Sequence, residues 1–305
     1  MLRKGLIFVG LVACVSTTAL AQVKLERKYK EGSSYRAEST NHIEQKLTIA
    51  GMETDTNADT RTTVLATIGK RDVAGTLKVQ NKVESLQINM TVMGQNYSFD
   101  SASPDTKGAS ALEVLRDIHK ALAKRTSTTT LDKTGRVLAI EHDQDVLSGL
   151  PAEIQALAKG QLDPENLKQQ ANQEIDSLPT ETVNKGESWQ RTESANFGAG
   201  QVMTFQTKYT YEGPIQKGGK TLEKITSKVL SVDFALQDSP LPFQLKGSDL
   251  KATESEGVIL FDRELGQSVE SSSSIRITGD ITFVINNMDL PSQLDLKMTS
   301  AVLLK

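Results

Sequence analysis

Three histidines, His42, His119 and His142, and one cysteine, Cys14, are the whole stock of imidazole and thiol groups in 305 residues. They fall on a strand, a helix, a loop and the N-terminal segment, with no His-x-x-x-His or cysteine spacing that would hold a metal. Glu141-His142-Asp143 has the residue types for acid–base work, but it sits at a strand end, where a charged junction is more simply solvated. Asp55, Asn57 and Asp59 open like a calcium loop, yet the positions that need Gly and Glu hold Thr60 and Ala66. Strand alternation instead turns the three toward solvent together.

Two further patterns fail on context. Gly213-Pro214-Ile215-Gln216-Lys217-Gly218-Gly219-Lys220-Thr221 is one residue too long between glycines for a phosphate loop, and a strand follows where a helix is required. Gly218-Gly219 reads as a hairpin turn. Asp132 and Asp262 could be a glycosidase carboxylate pair. Each precedes a glycine turn, however, where an Asp accepts hydrogen bonds from its own backbone. No Gly-x-Ser-x-Gly elbow occurs. No catalytic residue, metal ligand or cofactor is therefore expected, and an enzyme ranks behind a binding or interaction role.

The composition narrows the partners. Lys plus Arg number 35 against 38 Asp plus Glu, for a net charge of −3, and basic residues are interleaved with acids, so nucleic acid is not an expected partner. The N-terminus carries Arg3 and Lys4, an apolar run from Leu6 to Val15, and Ala19-Leu20-Ala21. This is the pattern of a signal peptide over residues 1–21, cleaved between Ala21 and Gln22. The run is too short for a permanent span. Leu11-Val12-Ala13-Cys14 also resembles a lipobox, and acylation of Cys14 would tether the chain to a membrane. Export to the periplasm or beyond is expected either way.

The remaining chain is strand-like, rich in Thr, Val, Ser and Ile alternating with polar residues. Extended segments are read at 34–49, 53–69, 74–92, 96–101 and 127–141, then 187–195, 201–213, 220–236, 251–263, 266–285 and 292–304. Ser110 and Glu113 form a capping box for a helix at 109–125, with Leu112, Leu115, Ile118 and Leu122 on one face. Pro151 to Gly160 reads as a second helix, and a third starts at the Asp163 cap and ends before Pro179.

An internal repeat organises these segments. Lys30 to Arg36 is echoed by Asn184 to Arg191, placing Tyr35 opposite Trp189; Gly75 to Val83 is echoed by Gly219 to Val229; Leu131 to Val137 is echoed by Phe261 to Val269. In each repeat the apolar phase switches sides, after Val83 to Leu86, Ile88, Met90 and Val92, and after Val229 to Leu230, Val232, Phe234 and Leu236. A β-bulge accounts for both. Repeats at 24–141 and 181–305 are thus joined by a helical linker at 146–178, and the two are expected to pack on each other.

Lys185-Gly186-Glu187-Ser188-Trp189 after Leu178-Pro179, the strand Tyr209-Thr210-Tyr211, and Gly257 to Asp262 before Gly266 resemble a domain-of-unknown-function family of secreted bacterial proteins of about this size. That resemblance implies no catalytic residue. In architecture alone, the pattern resembles periplasmic half-barrel lipoprotein carriers with lid helices. The expected fold is α+β, predominantly antiparallel β, a tandemly duplicated, half-barrel-like curved sheet with a few covering helices. The expected function is non-enzymatic binding of an apolar or lipid-like ligand by Leu112, Leu115, Ile118, Leu122, Leu241 and Phe243. The alternative is an envelope structural or protein-interaction module without a small ligand.

Overall fold

A two-residue hairpin turn of type I′, whose twist matches that of the flanking strands, needs both central residues at positive φ. Ala50-Gly51, Met93-Gly94, Ala199-Gly200, Gly218-Gly219 and Asn286-Asn287 all meet that requirement. The computed structural model describes residues 22–106, 108, 111–142, 155, 163–237, 239 and 242–305, so the expected signal peptide with Cys14 and Ala21, Ser110 of the capping box, Leu241, and nearly all of the expected helix at 151–160 lie outside the described residues. The strands of the first repeat are β1 (Ser34–Ile49), β2 (Met52–Ile68), β3 (Leu77–Val92), β4 (Gln95–Asp100), β5 (Thr126–Leu131) and β6 (Val137–His142). Those of the second are β7 (Ser188–Gly198), β8 (Gln201–Lys217), β9 (Lys220–Leu236), β10 (Gln244–Asp262), β11 (Gln267–Ile285) and β12 (Met288–Leu304). Among the described residues they are accompanied by α1 (Arg116–Ala123) and α2 (Pro164–Asp176).

All strands join one antiparallel sheet in the order β6-β5-β3-β2-β1-β12-β11-β10-β9-β8-β7, with β4 on β3. The chain begins in the middle of the sheet, works out to β6, crosses to the far edge at β7, and returns to the middle. There β12 pairs with β1 along its length, from Ala37 opposite Leu304 to Ile49 opposite Ser292. The expectation that the repeats pack on one another is corrected here: they meet edge to edge. β12 has no counterpart in the first repeat, and it supplies the strand that β1 would otherwise lack.

The three motif pairs fall on corresponding elements. Tyr35 and Trp189 are second in β1 and β7, and Asp132 and Asp262 open the β5–β6 and β10–β11 turns. The segment read as one strand at 127–141 is two, because Asp132 bends it: its Oδ1 accepts from the Thr134 and Arg136 N–H groups at 2.7 and 3.0 Å. Asp262 Oδ1 accepts from Glu264 and Leu265 N–H at 2.9 and 3.0 Å. Both bulges are present. The β2–β3 register shifts between Val83 and Ser85, and the β8–β9 register between Val229 and Ser231. Leu230 departs from expectation, since it is the extra residue itself and is 50% exposed rather than on the apolar face.

One face of the sheet is concave and carries the core. At its upper end, by the β5–β6 and β10–β11 turns, lie Ala66, Ile68, Leu77, Val79, Leu131 and Val137 on one side, and Tyr209, Tyr211, Ile225 and Phe261 on the other. An N-terminal strap seals this end: Val23 pairs with Val183, and Val23 and Leu25 are buried against Tyr211 and Phe261. The lower end holds a cluster around Ile277, Ile281, Phe283 and Leu294, and a second around Leu86, Ile88, Tyr97 and Phe99.

Helix α2 settles the fate of both sheet edges. Asp163 caps its start, accepting from the Glu165 and Asn166 N–H groups. Asn172 then exchanges two 3.0 Å hydrogen bonds with the Val137 backbone on β6, as a neighbouring strand would. The next residue, Gln173, accepts from Ser194 N–H on β7 at 3.0 Å. The helix end is held in turn by β7, where Arg191 Nε donates to Asp176 O and Trp189 Nε1 to Ser177 O. The sheet thus curls until its two outermost strands share one helix.

Replacing Asn172 or Gln173 by Ala leaves strand-edge backbone groups without their partners, at an expected cost of about 1–2 kcal/mol each. Urea unfolding measures this, and hydrogen exchange at Val137 and Ser194 should quicken selectively. Unchanged midpoints and unchanged exchange would show that α2 does not hold the edges.

Candidate functional site

Between the upper and lower clusters the concave face changes character. Ser39, Thr60 and Thr62 on β1 and β2, Ser271 and Ser273 on β11, Ser300 on β12, Gly257 on β10 and Ser227 on β9 form a belt of small residues across the sheet, placed on one face by the strand register. Hydroxyls and glycine cannot fill the inside of a strongly curved sheet. On the side of the second repeat the belt deepens into a cavity of about 300 Å³, with Phe205, Val229, Ile259, Ile275 and Met298 as its apolar lining. The cavity lies where the β9–β10 ladder stops at Ser227 and Gly257. Past that point the Ser255 hydroxyl accepts from Val229 N–H at 2.8 Å, in place of a strand-to-strand bond.

Glu193 from β7 is the charged group in this lining that faces the apolar residues across the concave side. The Thr207 hydroxyl donates to its carboxylate at 2.8 Å, and the Tyr209 hydroxyl donates through a very short contact. Burial, with Glu193 adding to it, pushes the Tyr209 phenol well above its ordinary pKa, so it stays a donor. A carboxylate has about four lone-pair positions, and these two donors leave it able to take more. Trp189 stacks on Tyr209 at 5.9 Å between ring centroids, which sets the sole tryptophan one ring away from the cavity wall.

Larger clefts exist, but they are of another kind. One of about 400 Å³ on the convex face is lined by Glu44, Lys46, Asp55, Arg276, Asp295 and Lys297, whose charges pair with one another, as in the 2.7 Å Arg276–Asp295 bridge. Another of about 570 Å³, beside the N-terminal strap, is lined mainly by charged side chains such as Lys24, Glu26, Lys28 and Arg263. Neither offers an apolar wall.

Of the six residues expected to bind ligand, the five that are described do not converge. Leu112, Leu115 and Leu122 press on the cluster of Leu86, Ile88, Tyr97 and Phe99, while Ile118 is half-buried on the same short helix. The expected helix at 109–125 is a 3-10 turn, Ala111–Leu115, followed by α1. Arg116 anchors it: the side chain is 3% exposed, pairs with Glu113 at 2.6 Å, donates to Ser98 O at 3.0 Å and lies over the Tyr97 ring. A helix nailed down by a buried ion pair is a plug. Phe243 lies elsewhere, edge-on to Phe283 at 4.9 Å.

The other sequence candidates are dispersed. His42 on the convex face sits between Asp59 and Glu44 at 2.8 and 3.0 Å, and hydrogen bonds to those carboxylates raise its pKa. His119 on α1 meets the Tyr97 hydroxyl at 2.7 Å, and His142 ends β6. Among the described residues no group of three or more His, Cys, Asp and Glu side chains could hold a metal ion, and no helix is long and apolar enough to cross a membrane. Glu193 and Thr207 were not singled out from the sequence, and Tyr209 was noted only within a structural motif. Their signal was the run Glu270-Ser271-Ser272-Ser273-Ser274 opposite Gly257, small residues on a strand that otherwise alternates.

Residues 74–223 match DUF6263, a family of unknown function, which bears out the family resemblance. No curated protein matches the chain. Among solved structures, one titled for lipid–protein interactions in lipovitellin overlaps with a TM-score of 0.43 and 11% identity over 91% of this chain, which spans 25% of that one. Pseudomonas aeruginosa OccK5 (OpdH) overlaps at 0.25 and 8% identity, over 90% of this chain and 99% of that one. A putative outer membrane lipoprotein-sorting protein domain from Vibrio parahaemolyticus overlaps at 0.15 and 6%, over 85% and 83%. At such scores these overlaps say nothing about function.

The plug makes a titration prediction. Burial, followed by the Arg116 charge, depresses the His119 pKa from 6.5 to about 4. The unfolded chain binds that proton first, so stability should fall as pH drops from about 6.5 to about 4, by on the order of 3 kcal/mol in full. Comparing acid unfolding of the wild type with His119→Gln isolates the effect from the carboxylates. Parallel curves for the two proteins would contradict it.

Proposed function

We propose that this chain is an exported, non-enzymatic binding protein whose ligand is an amphiphile held on the concave face. The observation that carries the reading is the belt cavity: apolar walls from Phe205, Val229, Ile259, Ile275 and Met298, with serine hydroxyls between them and the Glu193 carboxylate facing them from β7. Ligand sites combine such walls with a few placed polar groups. A volume near 300 Å³ takes a short alkyl chain or the end of a longer one, and Glu193 selects a hydrogen-bond donor at the polar end, a hydroxyl or an ammonium. Turn geometry already accounts for Asp132 and Asp262, and α1 is occupied in packing, so neither competes for the role.

Dodecylamine and dodecanoate are the probes, with Trp189 fluorescence as the readout because that ring stacks on Tyr209. The amine should bind at least tenfold more tightly than the acid, and Glu193→Gln should erase the difference. Ser273→Phe with Ser300→Phe, which fills the belt, should weaken both probes tenfold or more while the thermal midpoint holds. Equal affinity for both probes, or filled variants that bind like wild type, would sink the proposal and favour the interaction-module alternative. Mass spectrometry of organic extracts from protein purified out of its own envelope then identifies the natural ligand.

A further inference from the structure

The belt of small residues can be followed strand by strand. Thr60, Asn41, Ser300, Ser273, Gly257 and Ser227 are successive cross-strand partners on β2, β1, β12, β11, β10 and β9, so they form one unbroken row on the concave face, at right angles to the strands. Five steps between neighbouring strands make the row about 24 Å long, at about 4.8 Å per step. Glu193 stands at its near end, because Tyr209, which donates to its carboxylate, is the next cross-strand partner of Ser227. The cavity reaches Met298 and Ser300 on β12. The row goes on for two more strands.

Along that extension the row is bordered by apolar side chains. Ile43, Met298 and Ile275, themselves cross-strand partners, lie two residues along each strand on the same face. They carry the apolar wall of the cavity past its end onto β1. On the other side of the row, Val302 is 39% exposed on the same face. Within the row the Ser273 and Ser300 hydroxyls share a 2.8 Å hydrogen bond, so neither requires a polar partner from a ligand. Ser227 lies over Gly257, where an added Cβ would come within 2.2 Å of its hydroxyl, which keeps the floor low. The far end is closed. Thr60 pairs with Ile88 on β3, which is buried in the cluster that Leu112, Leu115 and Leu122 complete.

We propose that the row is the floor of a trough for one long alkyl tail, laid across the strands from a head group at Glu193 to the wall formed by Ile88 and α1. This rests on the amphiphile reading and deepens it by setting the length of the molecule. The cavity holds the first part of the tail, and the extension over β1 and β2 holds the rest. A peptide does not suit this course. An extended chain binds by pairing with a strand edge, whereas the trough crosses strands whose backbone groups are already paired with one another. A wholly polar chain would make no use of the border of Ile43, Met298 and Ile275.

The test is titration with octylamine, dodecylamine and hexadecylamine, each below its aggregation threshold, with Trp189 fluorescence as the readout. Affinity should rise about two- to fourfold for each added methylene, and the rise should continue from twelve carbons to sixteen. Thr60→Arg puts a charge on the path of the tail beyond the cavity. It should weaken hexadecylamine tenfold or more and leave octylamine unchanged. Val302→Ser, a milder change, should weaken hexadecylamine severalfold and again spare octylamine, whose binding shows that each variant is folded. If Thr60→Arg loses octylamine as well through misfolding, Val302→Ser decides alone. An affinity that levels off at dodecylamine, folded variants that take hexadecylamine as wild type does, or equal losses of all three amines in Val302→Ser would overturn the trough. Octylamine binding that depends on Glu193, without the further gain, would leave the amphiphile reading standing, whereas no binding of any amine would remove both.

Discussion

An open sheet has two edges, and each edge strand carries backbone donors and acceptors that must be paired, hydrated or covered. In this molecule that requirement shapes everything else. Consecutive residues of α2 attend to opposite edges, Asn172 to β6 and Gln173 to β7, so the edges can be no farther apart than the width of one helix. Eleven strands in a row can satisfy such a limit only by curling. Curling creates a concave face, and a concave face has an interior that must be packed or left open.

How the interior is divided follows from side-chain size. Where β2, β3, β5 and β6 present Ile68, Leu77, Val79, Leu131 and Val137, it is solid. Where β3 and β4 meet, the first repeat adds α1, and Leu112, Leu115 and Leu122 complete the packing. In the second repeat β9 ends at Leu236 and β10 starts at Gln244, and among the described residues no strand or helix stands between them. Its strands part after Ser227 and Gly257, and a serine hydroxyl takes over a backbone bond. This asymmetry between two repeats of common plan accompanies the cavity on the side of the second.

Most of the strand plan was legible from the residues because hairpin turns and alternation are local. The boundaries of β1 and β9 match their reading, and both bulges lie where the apolar phase changes. What was not legible depends on contacts far along the chain. Pairing of β1 with β12 joins Ala37 to Leu304, and nothing near either residue announces it. Leu230 was misassigned because an apolar residue in a bulge looks like one beside it. Ligand residues were expected among large side chains, on the helix at 109–125 and at Leu241 and Phe243, whereas the cavity of the second repeat lies over small ones, Ser227, Ser273 and Ser300, whose effect is the space they leave. Phe243 was expected at the rim of a ligand site, whereas its edge-on contact with Phe283 packs it, half-buried, against a core.

The pairing of β1 with β12 also governs the order in which the molecule can be assembled. Every other strand pair joins neighbours in the chain or spans one insertion, whereas this ladder joins the two ends of the described fold. Closing so long a loop is entropically the costliest step, and it has no template until β12 has been synthesised. Each repeat can form hairpins early, yet the central seam, and with it the curl that brings both edges to α2, must wait. Until then β1, paired with β2 on one side, has its other edge open in the middle of the future sheet. A chain with this topology leaves its central seam open longest, so the last contact to form is the one that makes two half-sheets into a single curved one.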